Sequence, residues 1–276
     1  MTAVLSDRVR ESAAFLHDLG VGEPVAAVVL GSGLSGALEV EGGVSIPYAG
    51  IPGFLEGRVA GHDHRLEFGR VAGRPILVLR GRAHYYEGAS LADATFPIRV
   101  VRALAPRWLA VLNAAGGIHP DHRVGDIVLL SDHLNWMGDN PLIGPNDERL
   151  GDRFPDLSEP YDRTYLRLVE SCAMDLGIRL QRGVFVAVAG PNLETAAEYR
   201  FLRAAGADVV GMSLIPETLV AVHSGMRVLA LTIVTDECFP DRLQRADVAR
   251  IIRVANEAEP ALSRLVEEFL RRSANR

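Results

Sequence analysis

Val25-Ala-Ala-Val-Val-Leu30 is an unbroken apolar run, and it leads straight into Gly31-Ser-Gly-Leu-Ser-Gly36. A strand with one wet face alternates polar and apolar residues. One covered on both faces does not, and this run predicts the second kind. Runs of the same character recur at residues 75–79, 108–112, 126–130, 183–188, 208–212 and 227–234. Helical patterns lie around them. Residues 6–19 carry an amphipathic repeat stopped by Gly20, and residues 162–176 carry another that stops at Gly177. Thr195-Ala-Ala-Glu198 is a capping box opening a helix that closes at Gly206. Pro216 suits the first position of a helix ending at Gly225, and a last helix is expected over 246–271. Together these predict an α/β fold: a mixed, largely parallel central sheet flanked by helices on both faces. The expected organisation is a single domain over residues 1–276. Residues 138–160, rich in Gly, Pro, Asn and Asp, lack periodicity, and ordered loops of that length are usually functional.

Composition narrows the class. Of 276 residues, 48% are hydrophobic and 23% charged, the balance of a packed chain rather than a disordered one. Only Cys172 and Cys238 are present, without paired spacing, which argues against a disulfide scaffold or a zinc ribbon. A net charge of −6 with no basic block argues against a nucleic-acid partner. Asp7, Arg8, Arg10 and Glu11 stand where a secretory signal needs an apolar run, and no stretch approaches the ~20 apolar residues that span a bilayer. The expectation is a soluble, cytoplasmic protein without a membrane partner.

Six strand ends carry the candidate chemistry. Gly31 to Gly36 matches G-x-G-x-x-G, but a dinucleotide fold needs a second strand ending in an acid about 20 residues on. The sequence there is Ala49-Gly-Ile-Pro-Gly-Phe54, broken by Pro and Gly, so a nicotinamide oxidoreductase fails its own context. A glycine turn around Ser32 suits a single phosphate equally well. Arg80-Gly-Arg-Ala-His-Tyr-Tyr-Glu-Gly88 follows a strand, and Arg82 and His84 there can grip an oxyanion. Tyr86 adds an aromatic face and Glu87 a carboxylate. Gly61-His-Asp-His64 is a weak metal pattern, more simply a surface loop. Asn113-Ala-Ala-Gly-Gly117 reads as a turn that admits a ligand close to the backbone. Gly190-Pro-Asn-Leu-Glu194, Val210-Gly-Met-Ser213 with Pro216-Glu217, and Thr235-Asp236 complete the set. No Ser-His-Asp order, CxxC pair or Walker loop is present, so covalent catalysis and nucleoside-triphosphate hydrolysis lack support.

The chain resembles the trimeric purine nucleoside phosphorylases, which share a fold with 5′-methylthioadenosine phosphorylases. The resemblance rests on GSG at Gly31, GH at Gly61, GRAHYYEG at Gly81, NAAGG at Asn113, GPNDERLGDRFPDLS at Gly144, GPNLETAAEYR at Gly190 and GADVVGMS at Gly206. It implies phosphorolysis: a purine nucleoside and phosphate give free base and ribose 1-phosphate, with no metal or organic cofactor, in purine salvage. It implies a phosphate pocket of Ser32, His62, Arg82, His84, Ala114 and Ser213, and ribose contacts from Tyr86 and Met212. Ala115, Leu193, Glu194, Val210, Gly211, Thr235 and Asp236 would surround the base, with His84, Glu194 and Asp236 nearest the chemistry. Phe154 resembles an aromatic residue lent to the neighbouring subunit's sugar site, which implies a homotrimer.

Three positions depart from the family's pattern. Leu193 replaces a stacking aromatic, Asp236 replaces the Asn of 6-oxopurine enzymes, and Val248 falls where a His usually reaches the 5′-hydroxyl. Asp236 and Val248 resemble the methylthioadenosine enzymes, while Tyr86-Glu87 and Glu194 follow the nucleoside phosphorylases. The alternatives are therefore a 5′-methylthioadenosine phosphorylase and, without catalysis, a nucleoside-binding protein.

Overall fold

The computed structural model describes residues 4–57 and 63–273. The elements run α1 (Leu5–Asp18), β1 (Ala26–Leu30), β2 (Glu41–Pro47), β3 (Arg65–Val71), β4 (Arg74–Arg80), α2 (Leu91–Ala94), α3 (Phe96–Ala103) and β5 (Trp108–Gly117). They continue through β6 (Ile127–Trp136), α4 (Arg163–Leu176), β7 (Leu180–Val188), α5 (Ala196–Ala204), β8 (Val209–Gly211), α6 (Ile215–His223), β9 (Arg227–Glu237) and α7 (Val248–Arg272). No helix among the described residues is long and apolar enough to cross a membrane.

The strands form a mixed sheet in the order β2-β3-β4-β1-β5-β8-β7-β6-β9, and β9 returns to pair with β5. The second half of the sheet thus closes into a ring, β5-β8-β7-β6-β9, while β2 to β1 remain an open wing. Parallel pairing links β4 to β1, β1 to β5 and β5 to β9. Every residue of β1 is buried, as its lack of alternation requires. β2 and β3, the antiparallel edge pair, escaped sequence reading because β2 is mostly exposed and broken by Gly42-Gly43. Gly43 is at φ +81°, and a Cβ there would lie 1.8 Å from the Phe68 carbonyl oxygen, so the bulge admits only glycine.

Helix boundaries follow their caps. Asp162 accepts from the Thr164 and Tyr165 amides to open α4, and Gly177 at φ +64° closes it. Thr195 and Glu198 form the expected reciprocal box at α5. Three strands run well past the apolar pattern at their C-terminal ends, β5, β6 (to Trp136) and β9, and two of these reach the candidate site. β5 continues through Asn113 to Gly117, so this segment is strand, not turn. β9 likewise carries Thr235 and Asp236 within it. Their mutual ladder supplies the hydrogen bonds that let small and polar residues stay extended.

Candidate active site

The parallel strands β1, β4, β5 and β9 all end on one side of the sheet, the edge where open α/β sheets bind ligands. At the first two of these ends the chain builds a buried recess around Arg82. The Leu112 carbonyl on β5 accepts from the Gly31 amide at 2.9 Å and from the Arg82 guanidinium at 3.2 Å. One backbone oxygen therefore ties the glycine turn of Ser32 to Arg82. Arg82 is only 5% exposed, and its counter-charge is Glu217 on α6, with Nη1 3.0 Å from Oε1. Met212 and Ser213 line the same recess together with Arg82, His84 and Glu217. Leu214, at φ +73°, turns the chain sharply between Ser213 and α6, which brings Glu217 into that helix's first turn.

His84 is buried too. Its ring stacks on Tyr86 at 4.8 Å, and Glu87 Oε2 accepts from the His84 amide at 2.8 Å while lying 3.3 Å from Nδ1. Burial, then the Arg82 charge, lowers the imidazole to about 4. At neutral pH it is an uncharged hydrogen-bonding group. The Tyr86 hydroxyl is pushed up to about 12 by burial and by Glu87, so it keeps its proton. Ala114 and Ser32 are half-buried, and His62 lies outside the described residues.

Further along β5 lies a cavity of about 560 Å³, within the usual range for small-ligand sites. Leu193, Glu194, Thr235 and Asp236 line it, with Tyr199, Arg123 and residues 242–247. A bulge shapes this wall: Ala115 pairs with Val234 but Gly116 with Asp236, leaving Thr235 as the extra residue. The Thr235 hydroxyl is 3.3 Å from the Ala115 carbonyl and 3.0 Å from Asp236 Oδ1. Val210 packs under Gly116, and Met212 lies against Gly190, where a Cβ would be 2.4 Å from its sulfur. Gly211 abuts Phe185 and the buried Asn113 amide. Burial, reinforced by the nearby carboxylates, holds Glu194 above the ordinary carboxylate range. Arg82 bonds to Leu112 and Asp236 pairs with Gly116, four residues on along one strand. At strand rise those two backbone positions on β5 lie about 13 Å apart.

Two expected positions stand apart from both places. Val248 is 66% exposed. Asp247 caps α7, accepting from the Ala249 and Arg250 amides, and the helix turns Asp247, Arg250 and Ile251 to the cavity instead. Phe154 is 86% exposed, its ring in contact only with the Arg153 guanidinium among described aromatic pairs. Conversely, three residues of the site had little sequence signal. Glu217 reads only as part of a helix start, Tyr199 as an ordinary helix-face residue, and Cys238 as a lone thiol.

Buried Arg82 and His84 at one end, and the carboxylates of Glu194 and Asp236 at the other, sit in a fold of the phosphorylase class. Residues 25–271 match the Phosphorylase superfamily. Purine nucleoside phosphorylase 1 of Bacillus subtilis is 42% identical over 268 residues, covering 96% of this chain and 98% of that protein. Isoform 2 of purine nucleoside phosphorylase from Schistosoma mansoni, solved with cytosine and ribose-1-phosphate, superposes with a TM-score of 0.92 at 34% identity, covering 98% of each chain. A Schistosoma mansoni purine nucleoside phosphorylase solved with adenosine gives 0.90 at 34% identity over 96% of each. The chain belongs to the purine nucleoside phosphorylase family.

Proposed function

We propose that this chain cleaves purine nucleosides by phosphorolysis, acting as a pentosyltransferase from base to phosphate. The observation that carries this is the pairing, along a single strand, of the Arg82 recess with the Glu194–Asp236 cavity. The backbone positions that anchor the two, about 13 Å apart, leave room for a sugar between a phosphate and a base. Arg82, with Ser32, His62, His84, Ala114 and Ser213, holds phosphate. Tyr86 and Met212 face the ribose, and Ala115, Leu193, Glu194, Val210, Gly211, Thr235 and Asp236 enclose the purine.

In the reaction the C1′–N9 electron pair leaves with the base while a phosphate oxygen forms the new bond to C1′. Ribose becomes oxocarbenium-like, and the phosphate beneath it stabilises that charge. Donors held towards the purine stabilise the departing anion, a contact stronger in the transition state than before it. Neutral His84 contributes a hydrogen bond to phosphate without competing for a proton. The chemistry calls on no metal or organic cofactor.

Several finer features belong to the same reading. The exposed Phe154, with Trp136 and Ile143 also outside the core, supports a homotrimer in which Phe154 completes a neighbour's sugar site. Each chain acts as one catalytic domain in the cytoplasm, in purine salvage. Glu194 and Asp236 together let the pocket take 6-aminopurines beside 6-oxopurines, and the adenosine complex of the Schistosoma mansoni relative supports this. Leu243 and Ile251 on the cavity wall leave a place for an apolar 5′-substituent such as methylthio.

The test is a panel of inosine, guanosine, adenosine and methylthioadenosine with and without phosphate. Base release that requires phosphate is expected; release without it, or binding with none, would leave a hydrolase or a binding protein. Asp236→Asn should shift preference towards inosine and guanosine by more than roughly tenfold.

A further inference from the structure

A second cavity, of about 430 Å³, opens between α1, α3 and the end of α6, and four arginines line it: Arg10, Arg99, Arg102 and Arg149. Arg99 and Arg102 stand three residues apart on one face of α3. Arg10, Arg102 and Arg149 are exposed at the rim, whereas Arg99 is only 7% exposed. Two carboxylates reach the rim. Asp7 pairs with Arg10 and lies 3.9 Å from Arg149, and Asp147 holds Arg149 at 2.8 Å. Arg102 donates to the Ser224 carbonyl at 2.8 Å. Arg99 has no ion pair among the described residues, and its one hydrogen-bond partner there is His223 Nδ1, at 3.4 Å. Burial, then the Arg99 charge, holds that imidazole below its ordinary range, so at neutral pH it is uncharged. It accepts from Arg99 at Nδ1, while Nε2 faces Asn146 Oδ1 at 3.3 Å.

We propose that this cavity is an anion site separate from the Arg82 recess, and that it takes the phosphate group of a small phosphate monoester. Four guanidiniums facing two carboxylates leave two positive charges over, which matches a phosphate dianion. A guanidinium keeps its charge even when buried, and a buried charge without a counter-ion is costly. Arg99 therefore marks where the phosphate sits, with Arg102 as the second fork. The volume favours an ester over the free ion. A phosphate fills about the space of three waters, at about 30 Å³ each, so most of the cavity is left for the esterified group. Val9 and Leu150 give that group an apolar wall. The site lies away from the reaction: His223 is on α6, six residues beyond Glu217, or about 9 Å at helical rise. Arg82 and Arg99 thus engage opposite ends of one helix.

The experiment titrates ribose 5-phosphate, inorganic phosphate and unphosphorylated ribose calorimetrically, in phosphate-free buffer at matched ionic strength. Wild type, Arg82→Ala, Arg99→Met and Arg102→Gln are compared. Ribose 5-phosphate should bind wild type, and Arg82→Ala should keep this binding while losing any contribution from the catalytic recess. Arg99→Met and Arg102→Gln, alone or combined with Arg82→Ala, should weaken it about tenfold or more. Inorganic phosphate should bind this site at least about fivefold more weakly, since it leaves the apolar wall unfilled, and ribose should not bind. Arg102 is exposed, so Arg102→Gln decides the matter even where Arg99→Met does not fold. Affinity unchanged in Arg102→Gln, or binding that disappears in Arg82→Ala, overturns the proposal. Inorganic phosphate binding as tightly as the ester would mark an adventitious ion only. Arg102→Gln that breaks the assembly apart in sedimentation would make the cavity an interface between copies instead, and that too defeats a ligand site. The assay involves no nucleoside cleavage, so its failure and the failure of the phosphorolysis reading are told apart.

Discussion

Replacing Glu217 by Gln removes a charge from one of the most buried ion pairs in the molecule. Arg82 and Glu217 side chains are 5% and 7% exposed, with Nη1 and Oε1 3.0 Å apart. Leaving one member of such a pair without its partner costs roughly 3–5 kcal/mol, because the remaining charge has lost its water and gained nothing. For a chain of this size that corresponds to a fall in Tm of about 6–20 °C in phosphate-free buffer. Phosphate should then separate the variant from wild type. Any anion that binds only the folded state stabilises it, by about 2.7 kcal/mol at a hundredfold excess over Kd. In Glu217→Gln the anion also supplies the missing counter-charge, so its stabilisation must exceed that of wild type. The assay is thermal unfolding in matched ionic strength, with phosphate titrated against chloride. A Tm within 2 °C of wild type without phosphate, on the order of 1 kcal/mol or less, refutes the assignment of a strong pair. An equal phosphate-induced rise in both proteins refutes the idea that Arg82 is the anion's partner.

Arg82→Ala should chiefly raise the KM for phosphate, losing about 1.5–3 kcal/mol of charged hydrogen bonding; unchanged phosphate dependence removes Arg82 from the site. Phe154→Ala should raise nucleoside KM without altering the fold, and sedimentation should show three chains; a fully active monomer at assay concentration defeats that arrangement. For His84 the folded value, about 4, lies below the ordinary 6.5. The unfolded chain therefore binds the proton first, and His84 withdraws stability as pH falls from about 6.5 towards 4, by up to about 3 kcal/mol. Denaturant titration of wild type and His84→Gln should show a shallower acid slope in the variant; parallel slopes would show that His84 does not carry this linkage.

The sequence discloses elements whose burial is uniform and site residues whose neighbours are small, and it conceals those that depend on strand pairing. β1 and the caps at Asp162 and Thr195 are legible because each is a local property: no alternation, or one side chain bonding an amide two or three residues on. β2 and β3 are not, since their stability comes from one another and their exposed faces look like loop. The same distinction governs the site. Arg82, His84 and Asp236 follow apolar runs directly, so position alone marks them. Cys238 enters the site because β5 bulges against β9 at Thr235, leaving Gly116 opposite Asp236. That offset breaks the period of two and sets Asp236 against Cys238 across a residue without a Cβ. A periodic reading of residues 227–237 gives Asp236 a face but no partner. The partner comes from a register shift between strands more than a hundred residues apart. Substituting Gly116 with Ala should therefore disturb base selection more than its distance from the phosphate recess suggests. The added Cβ would meet the Cys238 sulfur at 2.5 Å and push it off Asp236, the carboxylate proposed to accept from a 6-amino group. The adenosine-to-inosine ratio of Gly116→Ala should fall, and a ratio equal to wild type would show that this contact does not set the base preference.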